Sequence, residues 1–114
     1  MMAETHSSEE LINKAAAILG KYVPGEALGD VEHATIDRCI DDVIAEIGKI
    51  VAISDRDEIP NLVFETMARL VAIYAAAEFS NQPLDLMAVQ QHEQRLRYLI
   101  AQTPTYEVLA VNYF

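Results

Sequence analysis

Apolar residues recur at helical spacing along four stretches of the chain, and the clearest stretch runs from about residue 31 to about residue 53. The opposite face of that stretch is polar and mainly acidic, so the pattern predicts a long second helix that buries one side. Asp30 is its expected N-cap, and Gly48 lies inside it at a cost of about 1 kcal/mol relative to alanine. The apolar positions step by four and three residues: Ile36, Ile40, Val43, Ile47 and Ile50.

A shorter amphipathic stretch precedes this helix and carries its own start and stop signals. Ser7 and Glu10 have the spacing of a capping box, in which each side chain accepts a hydrogen bond from the other residue's backbone N–H. Gly20 is placed to end the helix in the left-handed conformation. We therefore predict a first helix that starts at residue 8 and ends before Gly20, preceded by a flexible arm over residues 1–7. Its apolar face is Leu11, Ile12, Ala15, Ile18 and Leu19.

Two more helices are predicted after the polar connection 54–60. The third extends to about Phe79 and is apolar on more than one side, so we expect it to lie centrally. Its small residues Ala68, Ala72 and Ala76 recur every four positions and let another helix approach closely, in the same chain or in a neighbouring subunit. The fourth helix extends over about 84–102 and is more polar. Its apolar positions are Leu86, Val89, Leu96, Leu99 and Ile100.

The last eleven residues, 104–114, break the helical pattern. They follow Pro104 and are rich in β-branched and aromatic residues, which favour extended structure. An apolar segment of this kind must be covered, either by its own helices or by another chain to which it adds as a strand. We favour docking on another chain. The predicted partner-binding residues are Tyr106, Val108, Leu109, Val111, Tyr113 and Phe114.

These elements predict an all-α fold: a small four-helix bundle with an extended, strand-prone C-terminal tail. The expected organisation is a flexible N-terminal arm over 1–7, a helical bundle over 8–103 and a docking tail over 104–114. At 114 residues the chain has the length of one domain, and 52% of its residues are hydrophobic, enough to build a core.

The charge of the chain changes which functions we consider. The formal net charge is −10 and no basic patch is present in the sequence, which disfavours direct nucleic-acid binding. An acidic surface suits a protein that DNA must pass without sticking. The N-terminal residues are polar and acidic, unlike a signal peptide, and no apolar run is long enough to span a membrane. We expect a product of the cytoplasm.

Catalytic and metal-binding motifs are not evident. His33, Asp37 and Asp41 recur every four residues, but this spacing is more typical of a solvated acidic face than of a metal site. Cys39 is the single cysteine and lies in an apolar stripe, where we expect a buried thiol. Since no nucleophile, base and orienting group can be assigned, we expect no enzyme activity and no cofactor.

The layout resembles that of a known family. It combines a short helix ending in Ala17-Ile18-Leu19-Gly20, an acidic helix around residues 36–43, an alanine-rich helix around residues 67–77, and a fourth helix with a tail. This order is similar to the head-to-tail connector (adaptor) proteins of tailed bacteriophages, including the tail accessory and head completion factors of short-tailed phages. The resemblance covers roughly residues 8–114 and concerns the order and character of the helices.

The resemblance implies a virion structural protein at the head–tail junction, assembled in the host cytoplasm. It implies a homo-oligomeric ring, twelvefold like the portal, that joins the portal protein to tail proteins and helps retain packaged DNA, which passes through without specific binding. Family members grip the portal with C-terminal segments, a role that residues 106–114 match. The tail accessory factors of short-tailed phages carry a much longer C-terminal extension, so the tail type that this chain serves stays open.

Two other functions remain open at this point. One is a small dimeric helical protein that acts in protein–protein interaction or regulation and hides its tail within the dimer. The other is an acidic DNA mimic that displaces DNA from a basic partner. Stoichiometry separates the first from the connector, since a closed ring and a two-fold dimer differ in symmetry.

Overall fold

The computed structural model describes residues 5–21 and 28–102. In these ranges the chain is mostly helical, with four helices and one pair of very short strands. This confirms the predicted helical class. In chain order the elements are β1 (Thr5–His6), α1 (Ser8–Ile18), α2 (Asp30–Ile47), β2 (Ile59–Pro60), α3 (Asn61–Ser80) and α4 (Leu86–Gln102).

Helix α1 begins and ends as its sequence predicts. The Glu10 backbone N–H donates to Ser7 Oγ at 3.2 Å, and the Ser7 N–H donates to the Glu10 carboxylate at 3.3 Å, which completes the capping box. Gly20 follows the helix with a φ of +76°, in the left-handed region. Four of the five predicted apolar-face residues are buried or half-buried, whereas Ile18 is 39% exposed.

The segment before α1, which is predicted to be a flexible arm over 1–7, includes a short strand. Thr5 and His6 form β1, which pairs antiparallel with β2, so that Thr5 lies opposite Pro60 and His6 opposite Ile59. The His6 ring stacks on Phe64 with 4.1 Å between ring centroids. Strand pairing and ring stacking thus place Thr5 and His6 against the start of α3, and the flexibility of the arm stays a prediction. Residues 1–4 lie outside the described ranges.

Helix α2 is shorter than predicted. It ends at Ile47 with Gly48 as its C-cap, rather than continuing to about residue 53, and Gly29 rather than Asp30 is its N-cap. The backbone N–H groups of Ile50 and Val51 both donate to the Ile47 carbonyl, which closes the helix in a tight turn. Gly48 has a high cost in a helix interior, and leaving the helix allows Ile50 and Val51 to pack on the core.

Helix α3 is central, as the sequence predicts. It packs against α1, α2 and α4, and α1 also packs against α2. Of the small residues at four-residue spacing, Ala68 and Ala72 are buried and serve packing within the subunit, whereas Ala76 is only half-buried. The largest fully buried side chains come from α1, α2, α3, α4 and β2: Leu11, Ile12, Ile36, Ile40, Ile47, Ile59, Met67, Leu70, Leu96, Val43, Val63 and Val71.

Helix α4 packs on α3 and leads towards the predicted tail. The Asp85 carboxylate accepts a hydrogen bond from the Ala88 N–H at 3.1 Å and so caps the first turn. The prediction of an extended docking tail over 104–114 falls outside the described residues and stays a prediction.

Candidate interaction surfaces

The predicted partner-binding residues cannot be placed in the fold. All six lie in the segment 103–114, outside the described ranges: Tyr106, Val108, Leu109, Val111, Tyr113 and Phe114. The described surface that leads to them is helix α4. Its contacts and its outward face are therefore the starting point for a candidate interaction site.

Helix α4 is attached to the rest of the fold by a narrow and unusual inner face. Val89 and Leu96 are buried, and Glu93 lies between them with only 9% of its surface exposed. The Glu93 carboxylate forms an ion pair with Lys49 at 3.4 Å, and Lys49 also contacts Glu46 at 3.3 Å. The hydrogen bond from Lys49 to Glu46, together with the nearby charge of Glu93, raises the pKa of Lys49. A charged pair thus occupies a position where a small bundle ordinarily has an apolar residue.

No role was predicted for Glu93 from the sequence. A signal was available, because position 93 is four residues after Val89 and three before Leu96. A helix of 3.6 residues per turn places all three on one side.

The outward face of α4 is apolar at both ends and free of acidic residues. We call Met87, Gln91, Gln94 and Tyr98 the α4 outer stripe, because they step by four, three and four residues directly opposite the buried positions. Met87 is 71% exposed and Tyr98 is 54% exposed.

Two arginines flank the α4 outer stripe. Arg95 lies over the Tyr98 ring at 5.4 Å. Arg97 lines an open groove of about 500 Å³ together with Met87, Glu93 and three glutamines of the helix. Since the only acid of α4 is the buried Glu93, this surface is cationic on a chain whose net charge is −10.

The outward face of α2 is acidic, whereas that of α4 is basic. We call Ala34, Arg38, Asp41 and Ala45 the α2 outer stripe, since they are exposed and also step by four, three and four residues. Carboxylates flank it on both sides, including Asp37 and Asp42. The surface is therefore acidic and carries small side chains at its two ends.

Arg56 partly neutralises the first half of this acidic surface. Its guanidinium donates to the Asp41 carboxylate at 3.1 and 3.2 Å and also contacts the Asp37 carboxylate. Arg56 is the one basic residue in the connection 54–60. A single arginine in an otherwise acidic loop suggests that it forms an ion pair, but the sequence does not identify which carboxylates it reaches.

An acidic groove of about 350 Å³ lies between α2 and α3. It is lined by Thr35, Arg38, Cys39, Asp41, Asp42 and Glu78. The Cys39 thiol is buried, as predicted. Burial, together with Glu78 and Asp42, raises the pKa of Cys39 to about 11, so the thiol stays protonated near neutral pH. Since the thiolate is the nucleophile, Cys39 is not activated for covalent chemistry.

His33, Asp37 and Asp41 do not converge on a metal site. The His33 ring contacts the Glu9 carboxylate of α1 at 3.0 Å, whereas the two aspartates contact Arg56. Over residues 5–21 and 28–102, no three His, Cys, Asp or Glu side chains are grouped so that they can hold a metal ion. The helices of the same ranges are too short or too polar to cross a lipid bilayer.

Comparisons of the chain with protein-family models, curated proteins and solved structures found no match.

Proposed function

We propose that this chain is a virion structural protein, a subunit of the head-to-tail connector of a tailed bacteriophage. In this proposal many copies form a ring, twelvefold like the portal, between the portal protein and the tail proteins. The ring assembles in the host cytoplasm, stays at the head–tail junction of the virion and helps retain packaged DNA. The protein is not an enzyme and needs no cofactor.

The observation that carries the proposal is the composition of the segment after α4. Seven of the nine residues over 106–114 are apolar or aromatic, and only Glu107 is charged. An extended segment with this composition adds readily to an exposed sheet edge or groove of another chain, where backbone hydrogen bonds give affinity. Helix α4, which precedes it, is held by few buried residues and presents exposed Met87 and Tyr98.

The charge of the chain supports passage of DNA without binding. A net charge of −10 repels a phosphate backbone. The two arginines of α4 lie on one helix and are too few to form the extended basic surface that nucleic-acid-binding domains use.

A binding experiment with portal rings tests the proposal. Full-length protein is mixed with candidate phage portal rings, and bound protein is measured by co-sedimentation and negative-stain imaging. Deletion of Tyr106–Phe114 is expected to abolish binding and leave the helical circular dichroism unchanged. Substitution of the apolar pair Leu109→Asp/Phe114→Asp should have the same effect.

Polar positions of the same segment give the matched control. Glu107→Gln/Asn112→Ser changes two residues of the tail but keeps its apolar side chains, and binding should be retained. A compact dimer that ignores portal rings would contradict the connector and favour the dimeric interaction protein. Loss of cooperative unfolding in the deletion would show that the tail belongs to the core of the subunit.

A further inference from the structure

The geometry points to a contact between copies of this chain in which the α4 outer stripe of one copy packs against the α2 outer stripe of the next. This inference adds a specific contact between subunits to the proposed connector, and it rests on that proposal only for the closed ring. The contact itself needs two copies of the chain and no other component.

Charge complementarity identifies a second copy as the partner. The α4 outer stripe is flanked by Arg95 and Arg97, and the one carboxylate of its helix, Glu93, is largely buried and paired with Lys49. The α2 outer stripe borders the groove lined by Asp42 and Glu78. A guanidinium forms strong, directional pairs with carboxylates. Although the α2 outer stripe itself contains Arg38, Asp42 and Glu78 beside it are exposed carboxylates that can pair with Arg95 and Arg97. Opposite charges also steer the two surfaces together and disfavour α4–α4 and α2–α2 contacts.

The two helices also match in length and in the position of their large and small side chains. Helices α4 and α2 contain 17 and 18 residues, so each is about 26 Å long. Met87 and Tyr98 are separated by the same number of residues as Ala34 and Ala45. Two bulky side chains on one helix therefore face two small ones on the other, as knobs fit into holes.

The symmetry of this contact agrees with a ring. Different surfaces of the same chain meet, so each copy can bind one neighbour through α4 and another through α2. Such a contact closes into a ring when its rotation allows. The fold separates the two surfaces because α4 packs chiefly on α3, not on α2.

Charge reversal of exposed residues tests the contact in the full-length protein. One variant, Arg95→Glu/Arg97→Glu, reverses the α4 side. A second, Asp42→Lys/Glu78→Lys, reverses the α2 side. Asp37 and Asp41 are left unchanged because they contact Arg56 within the subunit.

Self-association is followed by sedimentation velocity and light scattering, and folding by circular dichroism. Glu58→Lys, which lies outside both stripes, is the control for a charge reversal elsewhere on the surface, and the quadruple variant keeps the net charge of the wild type.

We expect the wild-type protein to associate as its concentration rises, and Glu58→Lys to do the same. Each double variant should raise the dissociation constant for self-association at least about 100-fold. The quadruple variant, which carries both reversals, should associate again. An equimolar mixture of the two double variants should also associate, because each provides the surface that the other needs.

Several results would overturn the pairing. They are a wild-type protein that stays monomeric throughout, double variants that associate like wild type, and a quadruple variant that fails to recover. The size of the assembly tests the proposed ring separately from the pairing of the two helices. A dimer that follows the expected pattern supports the pairing and contradicts the ring, whereas a ring insensitive to all four substitutions contradicts only the pairing.

Discussion

Helices α3 and α4 pack against each other, but they contribute to the fold in different ways. The buried residues of α3 are almost all apolar or small and contact helices on every side: Val63, Thr66, Met67, Ala68, Leu70, Val71, Ala72 and Ala75. Helix α4 buries only Val89, Glu93 and Leu96, and the middle one is an acid. The buried apolar side chains are therefore concentrated in α1, α2 and α3. We expect helix α4 to be held more weakly and to present its outward face and the segment that follows it.

The largest effect is expected in α3. Leu70 is 1% exposed in the centre of the fold. Leu70→Ala should lower the free energy of unfolding by about 3 kcal/mol, because it removes buried apolar area and leaves a cavity. Chemical denaturation monitored by circular dichroism measures this change, and all four helices should unfold in one transition. A loss below about 1 kcal/mol would contradict the assignment of the core to α3.

The equivalent substitution in α4 should act locally. Leu96 is fully buried, yet it is one of only two buried apolar residues on its helix. Leu96→Ala should lower the free energy of local opening of α4 by about 2–3 kcal/mol, so that this helix detaches more readily from α3. Native-state hydrogen exchange should then show faster exchange over 86–102 and unchanged protection in α3. Equal loss of protection in both helices would mean that the two regions unfold as one unit.

Replacing the buried acid of α4 should strengthen its attachment. Glu93→Leu extends the apolar stripe between Val89 and Leu96, and replacing a buried ion pair by apolar packing is often neutral or stabilising. Lys49 keeps its contact with Glu46 and its access to water. We expect a gain of up to about 1 kcal/mol and slower exchange in α4, with Glu93→Gln as the isosteric control. A marked destabilisation by Glu93→Leu would show that the ion pair with Lys49 is needed to hold α4.

The smallest effect is expected at the start of α1 and depends on pH. The Asp57 carboxylate accepts hydrogen bonds from Ser8 Oγ at 2.6 Å and from the Ser8 N–H at 3.1 Å, and these bonds lower the pKa of Asp57. Because the folded pKa is depressed, the stabilisation is present above the unfolded pKa and is lost as the pH falls through the folded pKa.

Asp57→Ala should therefore lower the melting temperature slightly at pH 7. The difference from wild type should disappear under strongly acidic conditions, where the Asp57 carboxyl group is protonated in both the folded and the unfolded state. Thermal unfolding of both proteins from pH 7 to below pH 3 measures this difference. A difference that persists at the acidic end would show that Asp57 acts through packing rather than through its charge.

The sequence predicts the elements of this fold where local signals are strong. The capping box of Ser7 and Glu10 and the left-handed Gly20 fix both ends of α1. The heptad spacing of Ile36, Ile40 and Val43 identifies the inner face of α2. These signals depend on residues close together in the chain, so they can be read without the fold.

The features that the sequence did not predict depend on residues far apart in the chain. Pairing of Thr5–His6 with Ile59–Pro60 joins segments more than 50 residues apart. Helix α2 ends early because Ile50 and Val51 pack on the core once the chain leaves the helix at Gly48. The ion pairs of Glu93 with Lys49 and of Arg56 with two aspartates likewise require the folded arrangement. The opposite charges of the α2 and α4 surfaces become visible only when each outward face is known.

The most direct test of the proposed connector is the mass of the purified protein, alone and mixed with candidate portal rings, by light scattering together with negative-stain imaging. The account predicts rings of many copies stacked on the portal, and no stacking after deletion of residues 106–114. A compact two-fold dimer that does not bind portal rings would contradict it.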